Sequence, residues 1–250
     1  MLKMIDVCKT FNSGTINAKT ALDHYNITLE DGDFVTVIGG NGAGKSTALN
    51  AIAGSFMIDS GSIILDDIDI TKMPAFKRAK YLGRVFQDPM MGTAPDMQIE
   101  ENLALAARRG EKRGLGWGVT KEEREEYHEL LKILDLGLED RMQEKVGMLS
   151  GGQRQALTLL MATIKKPNIL LLDEHTAALD PKTAAKVLEI SDQIVNKYNL
   201  TTMMVTHNMR DALAHGNRLI MMNNGKVVLD VKGQEKERLT VNDLLEHFEL

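Results

Sequence analysis

Apolar positions along this chain follow two rhythms. Short unbroken runs, Phe34-Val35-Thr36-Val37-Ile38, Ile169-Leu170-Leu171-Leu172 and Thr201-Thr202-Met203-Met204-Val205-Thr206, are bounded by glycine or charge. Such runs read as buried strands, the second covered on both faces as in a parallel sheet. Elsewhere the spacing is helical. Residues 48–53 read as a helix stopped by Gly54, and Gln153 to Ile164 as a helix behind a Ser150 N-cap. Ala184, Val187, Leu188, Ser191, Ile194, Val195 and Tyr198 share one helical face. Further strands are expected at 2–8, 25–31, 62–66 and 82–86, and a hairpin joins 218–222 to 227–230 through Asn223-Asn224-Gly225-Lys226. A short amphipathic helix is expected over about 240–250. From Asp88 to about Lys145 the chain is helix-rich and charged. The order predicts an α/β core of residues 1–87 and 156–250, with a small N-terminal β region and a helical insertion over 88–155.

Composition narrows the class. The 250 residues are 43% hydrophobic and 26% charged, enough for one large domain with its own core. A formal charge of −5 argues against a protein that holds nucleic acid by neutralising its phosphates. The single cysteine, Cys8, allows no intramolecular disulfide, fits a reducing compartment and reads as a small buried residue. The first seven residues lack the apolar core of a signal peptide, and the run 169–172 is far short of a membrane span. A soluble, cytosolic protein is expected, which would reach a membrane only through a partner.

The chemistry centres on Gly39-Gly40-Asn41-Gly42-Ala43-Gly44-Lys45-Ser46-Thr47, which fits G-x-x-x-x-G-K-[S/T] between a strand and a helix. Chance alone supplies such a match about once in a hundred chains of this size, so the flanking strand and helix carry much of the inference. The glycines let backbone N–H groups converge on an anion at a helix start. Lys45 brings a positive charge for β- and γ-phosphates, and Ser46 a hard oxygen for Mg²⁺. At Ser150-Gly151-Gly152-Gln153 a second helix start bares backbone N–H groups. The run 169–172 ends in Asp173 and Glu174, where open α/β sheets place their ligands. Asp173 suits a Mg²⁺ contact and Glu174 the proton of an attacking water. His207 follows the next strand and is expected near the γ-phosphate. Phe11 reads either as a stacking platform for adenine or as a loop residue packed on the sheet. Gln87, at the end of 82–86, reads alone as a surface amide, and Asp67 and Asp69 as solvated carboxylates. The basic group Arg108, Arg109, Lys112 and Arg113 is followed by Glu122, Glu123, Glu125 and Glu126. It reads as a solvated loop, or as a contact for a partner or lipid headgroups anchored by Trp117.

Taken together and in this order, the motifs resemble the nucleotide-binding subunit of an ATP-binding cassette (ABC) transporter. Residues 39–47 match Walker A, Gln87 the Q-loop, Leu149-Ser150-Gly151-Gly152-Gln153 the family signature, and 169–174 Walker B with its acid. Ala178-Leu179-Asp180 matches the D-loop, His207 the switch histidine, and Phe11 the aromatic A-loop position, although the connection after it is longer than usual. The resemblance implies a P-loop NTPase fold: a RecA-like parallel-sheet core, an antiparallel β subdomain and an inserted helical subdomain. It implies an ATPase using ATP and Mg²⁺, with Gln87 contacting Mg²⁺ beside Ser46 and Asp173. In this family the signature of one subunit closes on ATP held by the other in a head-to-tail dimer, with Asp180 at the same interface. The implied partners are a second copy, integral membrane permease subunits and, indirectly, a solute-binding protein, at the inner face of the cell membrane. His175 stands where many relatives have Pro and would put a titratable ring beside Glu174. The segments 9–15 and 108–118 resemble bacterial importers assigned to tryptophan or tyrosine uptake. The competing readings are a non-transport ATPase of the same class, serving cofactor assembly or cell division, and an ATP-binding regulatory module without turnover.

Overall fold

The computed structural model describes residues 1–111 and 118–248, with side chains through 246. Strands β1 (Leu2–Phe11) and β2 (Lys19–Leu29) form an antiparallel hairpin, followed by β3 (Phe34–Gly39) and helix α1 (Lys45–Ala53). Next come β4 (Ser60–Leu65), β5 (Ile68–Asp69), α2 (Ala75–Arg78) and β6 (Leu82–Val85). The helical segment holds α3 (Ile99–Ala107), α4 (Lys121–Lys132) and the start of α5 (Gly151–Thr163), which runs unbroken through residue 155. The chain then alternates β7 (Ile169–Asp173), α6 (Pro181–Tyr198), β8 (Thr202–Val205), α7 (Met209–Ala214) and β9 (Arg218–Asn223). It ends with β10 (Lys226–Lys232), α8 (Gln234–Arg238) and α9 (Val241–Phe248).

Two sheets result. One is antiparallel, in the order β2-β1-β4-β5, and the other runs β10-β9-β3-β8-β7-β6. In the larger sheet β6, β7, β8, β3 and β9 are parallel, and only β10 is antiparallel. The expected hairpin forms, with Asn224 and Gly225 both at positive φ (47° and 76°) as its two-residue turn demands. Its first strand also pairs with β3, so the hairpin extends the main sheet.

Period-two alternation along β7 explains how the core divides. Ile169 and Leu171 face the cluster shared with α1 and the antiparallel sheet, among Leu2, Leu22, Leu49 and Val205. Leu170 and Leu172 face the opposite cluster, with Leu103, Tyr127, Leu131, Leu160 and Ile194 from the helical side. Helix α1 thus lies between the two sheets. Its far end is held by Arg78, whose buried guanidinium donates to the carbonyls of Ala51 (2.7 Å) and Ile52 (2.8 Å). The Ala51 carbonyl also accepts from the Gly54 N–H at the helix C-cap (3.3 Å), and at this end of α1 the cation meets the negative end of the helix dipole. Leu244 of α9 is fully buried beside Ala212 and Leu219, which gives the last helix a structural role.

Several expectations change. Strand β1 continues through Phe11, so this residue stands on a strand end and not in a turn. Cys8 is half-buried rather than buried. Arg108 grips both carboxylate oxygens of Glu123, at 2.7 and 2.8 Å, and Arg109 donates to the carbonyls of Ala162 (3.2 Å) and Lys165 (2.7 Å). Both therefore serve the fold. Lys112, Arg113 and Trp117 lie outside the described residues.

Candidate nucleotide site

Strand β3 delivers the chain to Gly39, and the loop through Gly44 turns it into α1. Gly44 is the helix N-cap at φ 103°, and a Cβ there would stand 2.4 Å from the Ala21 carbonyl oxygen, so both conformation and space require glycine. Lys45 is 7% exposed and lies back along the loop, donating to the carbonyls of Gly39 (2.8 Å) and Gly40 (3.1 Å). Burial pushes its pKa down, against the opposing pull of Glu174 and Asp173. A cavity of about 270 Å³ opens over the loop, lined by Phe11, Lys19, Ala21, residues 41–47 and Glu174. Phe11 therefore forms part of its wall. The ring packs edge-on against Phe56 (centroids 5.2 Å apart, planes at 84°), with the Lys9 ammonium 5.6 Å from its centroid.

The acids stand at the carboxyl ends of neighbouring strands. Asp173 pairs in register with Val205, and Glu174, one residue on, donates its N–H to the Val205 carbonyl at 2.9 Å. Glu174 holds φ 44°, a strained conformation for this residue. Its Oε2 lies 3.7 Å from Nδ1 of His207, which extends from the end of β8. On the near side, Ser46 Oγ is 3.4 Å from Asp173 Oδ1. Two hard oxygens meeting at the loop are the donor chemistry that Mg²⁺ takes. Burial raises the Asp173 pKa and Glu174 adds to the rise, while the Arg84 guanidinium, 3.5 Å from Oδ2, opposes it. Beyond Glu174 a larger cavity, about 670 Å³, extends between α6 and α7 and is also lined by His207, Asp192 and Asp211.

The remaining candidates stand elsewhere. Gln87 is exposed past the end of β6 and does not line the cavity over the loop. Ser150 caps α5 through a reciprocal pair: its Oγ accepts from the Gln153 N–H (3.3 Å), and Gln153 Oε1 accepts from the Ser150 N–H (3.2 Å). Gly152 abuts Thr183 at the start of α6, where a Cβ would come within 2.0 Å of Thr183 Cγ2. Gly151 lies beside Leu179, and Asp180 caps α6 by accepting from the Thr183 N–H at 3.1 Å. The signature and D-loop segments thus adjoin each other and sit outside the wall of the 270 Å³ cavity. His175 corrects the expectation of a ring beside Glu174. It is 2% exposed and turned under α6, with Nε2 3.1 Å from Ser191 Oγ, and burial pushes its pKa down to about 4.

Sequence reasoning passed over Arg84 and Lys19. Arg84 donates to Asn50 Oδ1 (2.7 Å) and reaches Asp173; its signal was a lone charge inside the buried run 82–86. Lys19 lies across β1–β2 from Phe11, and its Nζ is so close to Gly42 that a Cβ there would stand 2.6 Å away. Its signal depended on the strand pairing, which the spacing did not give.

Residues 22–177 match the ABC transporter family. Over its full length the chain is 47% identical to the tyrosine transport ATP-binding protein of Clostridioides difficile, covering 99% of that protein. It is 34% identical to the spermidine/putrescine import ATP-binding protein PotA of Haemophilus influenzae, over 94% of this chain and 59% of that one. Among solved structures, it resembles a dimeric ATP-binding cassette in a post-hydrolysis state bound to ADP and Pi. The TM-score is 0.78 at 31% identity, covering 93% of this chain and 98% of that one. A cassette in its ADP conformation gives a TM-score of 0.79 at 26% identity, over 100% and 98% of the two chains. No described helix is long and apolar enough to cross a membrane.

Proposed function

Because this chain belongs to the ABC transporter family, as the ATP-hydrolysing subunit that energises transport, we propose that it drives uptake of an aromatic amino acid such as tyrosine. The likeness to the tyrosine protein spans both chains end to end, whereas the polyamine relative is more distant and longer. In this reading the subunit sits at the inner face of the membrane on permease subunits, which a solute-binding protein supplies.

The observation that carries the catalytic reading is the Glu174–His207 pair at 3.7 Å, set beside the phosphate loop by strands in register. The loop N–H groups and Lys45 bind the β- and γ-phosphates, and Phe11 flanks the base. Ser46 and Asp173 would hold Mg²⁺, which supplies positive charge against the phosphate oxygens when bound. Glu174 accepts a proton from water as its oxygen attacks the γ-phosphorus. The bond to the bridging oxygen breaks, and ADP and phosphate leave. His207 donates to the γ-phosphate, and Gln87 lies on the side that meets the permease. The cavity over the loop is walled by Phe11, Lys19, residues 41–47 and Glu174, without the signature segment, as expected of half a site. The other half is Ser150 to Gly152, with Asp180, of a second copy.

The test is Glu174→Gln, followed by phosphate release and by light scattering with ATP. Turnover should fall at least about 100-fold, by analogy with loss of general-base catalysis, and an ATP-bound dimer should accumulate. Normal hydrolysis by the variant overturns the assignment of the base. Uptake of labelled tyrosine, tryptophan and spermidine, in cells with and without the subunit, tests the solute. Loss of spermidine uptake alone refutes the aromatic assignment.

A further inference from the structure

The middle of the β1–β2 hairpin carries a group of side chains that neither nucleotide binding nor dimer closure uses. Asp6 and His24, on adjacent strands, both hold left-handed backbone (φ 52° and 50°), where the pairing register shifts. These bulges turn side chains that would alternate across the sheet toward one point. A sulfur of Cys8, a carboxylate oxygen of Asp23 and a ring nitrogen of His24 lie within 4.8 Å of one another. Asn26 ties the two bulges together, accepting from the Asp6 N–H (2.9 Å) and donating to the His24 carbonyl (2.7 Å).

The surroundings orient each of these groups. Asp6 Oδ1 stands 2.5 Å from His24 Nδ1, which leaves Nε2 facing Asp23 Oδ1 at 3.9 Å. A carboxylate on the far nitrogen is the arrangement that aims a metal-binding imidazole and raises its basicity. Lys226 takes the other oxygen of Asp23 at 2.9 Å, so Oδ1 remains the inward one. The His24 backbone N–H points at Cys8 Sγ, 3.4 Å away. One sulfur, one imidazole and one carboxylate make a mixed donor set suited to a borderline-soft divalent ion. Around tetrahedral zinc such ligands stand about 3.4–3.6 Å apart, given bonds of 2.0–2.3 Å. Small rotations of the exposed His24 and the half-buried Cys8 and Asp23 would close the remaining ångström, with water in the fourth position.

We propose that Cys8, Asp23 and His24 form a zinc-class metal site on the antiparallel sheet, with Asp6 orienting His24. The ion would clasp the two strands midway along the hairpin whose turn end carries Phe11 and Lys19 to the nucleotide cavity.

The test uses the full chain, stripped of metal and free of nucleotide, titrated with Co²⁺ and then with Zn²⁺. One equivalent of Co²⁺ should give a thiolate-to-cobalt charge-transfer band and the strong visible bands of a four-coordinate ion, and Zn²⁺ should abolish both. Cys8→Ser should remove the charge-transfer band. His24→Gln, an exposed change, should weaken Zn²⁺ binding at least about 10-fold, and Asp6→Asn should do so about 10- to 100-fold, the range for loss of an orienting partner. Saturating Zn²⁺ should raise the unfolding temperature of the wild type more than that of His24→Gln. Absence of the thiolate band in the wild type overturns the proposal, as does unchanged Zn²⁺ affinity in His24→Gln.

Discussion

His175 follows the proposed base in sequence, yet its ring belongs to the core. Ser191 Oγ already donates its hydrogen to the Val187 carbonyl (2.8 Å), so it accepts from His175 Nε2, and the buried ring is the neutral tautomer protonated there. Its pKa, about 4 in the folded chain, lies below the ordinary histidine value of about 6.5. Between those two values the unfolded chain binds more protons, so stability is complete above about pH 6.5 and is lost as pH falls toward 4. At pH 5 the loss from this group is about 2 kcal/mol. Urea unfolding at neutral pH and at pH 5 should show the wild type losing that much more than His175→Gln. Equal losses in both proteins refute the assignment. At this scale the sequence made the charged motifs legible, because Lys45, Asp173, Glu174 and His207 sit at strand and loop ends where polar groups need a reason. It did not reveal the direction in which a ring turns. His175 was read by its neighbour in the chain, when its environment is set by Ser191, sixteen residues later on a helix packed above it.

Elements were legible wherever one rhythm ran undisturbed. The strand ending at Asp173 and the hairpin turn at Asn224-Gly225 formed as expected, since burial on both faces and positive φ leave few alternatives. The spacing places the first two strands at 2–8 and 25–31; it misses the turn-side ends at Phe11 and Lys19 and overruns Leu29, because the bulges near Asp6 and His24 reverse the alternation partway along each strand. The contact between α5 and α6 was invisible for another reason: it joins the first turns of two helices through a missing side chain. Gly152 lies where a Cβ would meet Thr183 Cγ2 at 2.0 Å. Gly152→Ala should therefore destabilise the chain by about 1–3 kcal/mol through overpacking. Adding Thr183→Ser removes that methyl and should restore most of the loss in a denaturant melt, a coupling that a double-mutant cycle measures directly. If Thr183→Ser restores no stability, the packing account of this glycine fails.

For the whole molecule, the two anion-binding helix starts pose a geometric question. One chain carries a phosphate loop at 39–47 and a second cap at 150–152, but the cavity over the loop is walled by Phe11, Lys19 and Glu174, without the second cap. If the two act on one nucleotide, they come from different copies, and a two-fold pair then builds two equivalent sites. This arrangement makes a prediction that a self-contained site does not. Lys45→Met removes the cation of the loop, and Gly151→Asp places a negative charge where the phosphate would dock; each alone should abolish turnover. In a mixed dimer the loop of the Gly151→Asp chain faces the intact cap of the Lys45→Met chain, so one competent site is rebuilt and the other carries both defects. With random pairing about half of the dimers are mixed, each with one competent site of two, so an equal mixture should recover about a quarter of the wild-type rate if the sites act independently. Phosphate release at rising total protein should show this recovery growing with dimer formation. A mixture as inactive as its components would mean that the cap does not act across the interface, and residues 39–47 would have to find their second wall within their own chain.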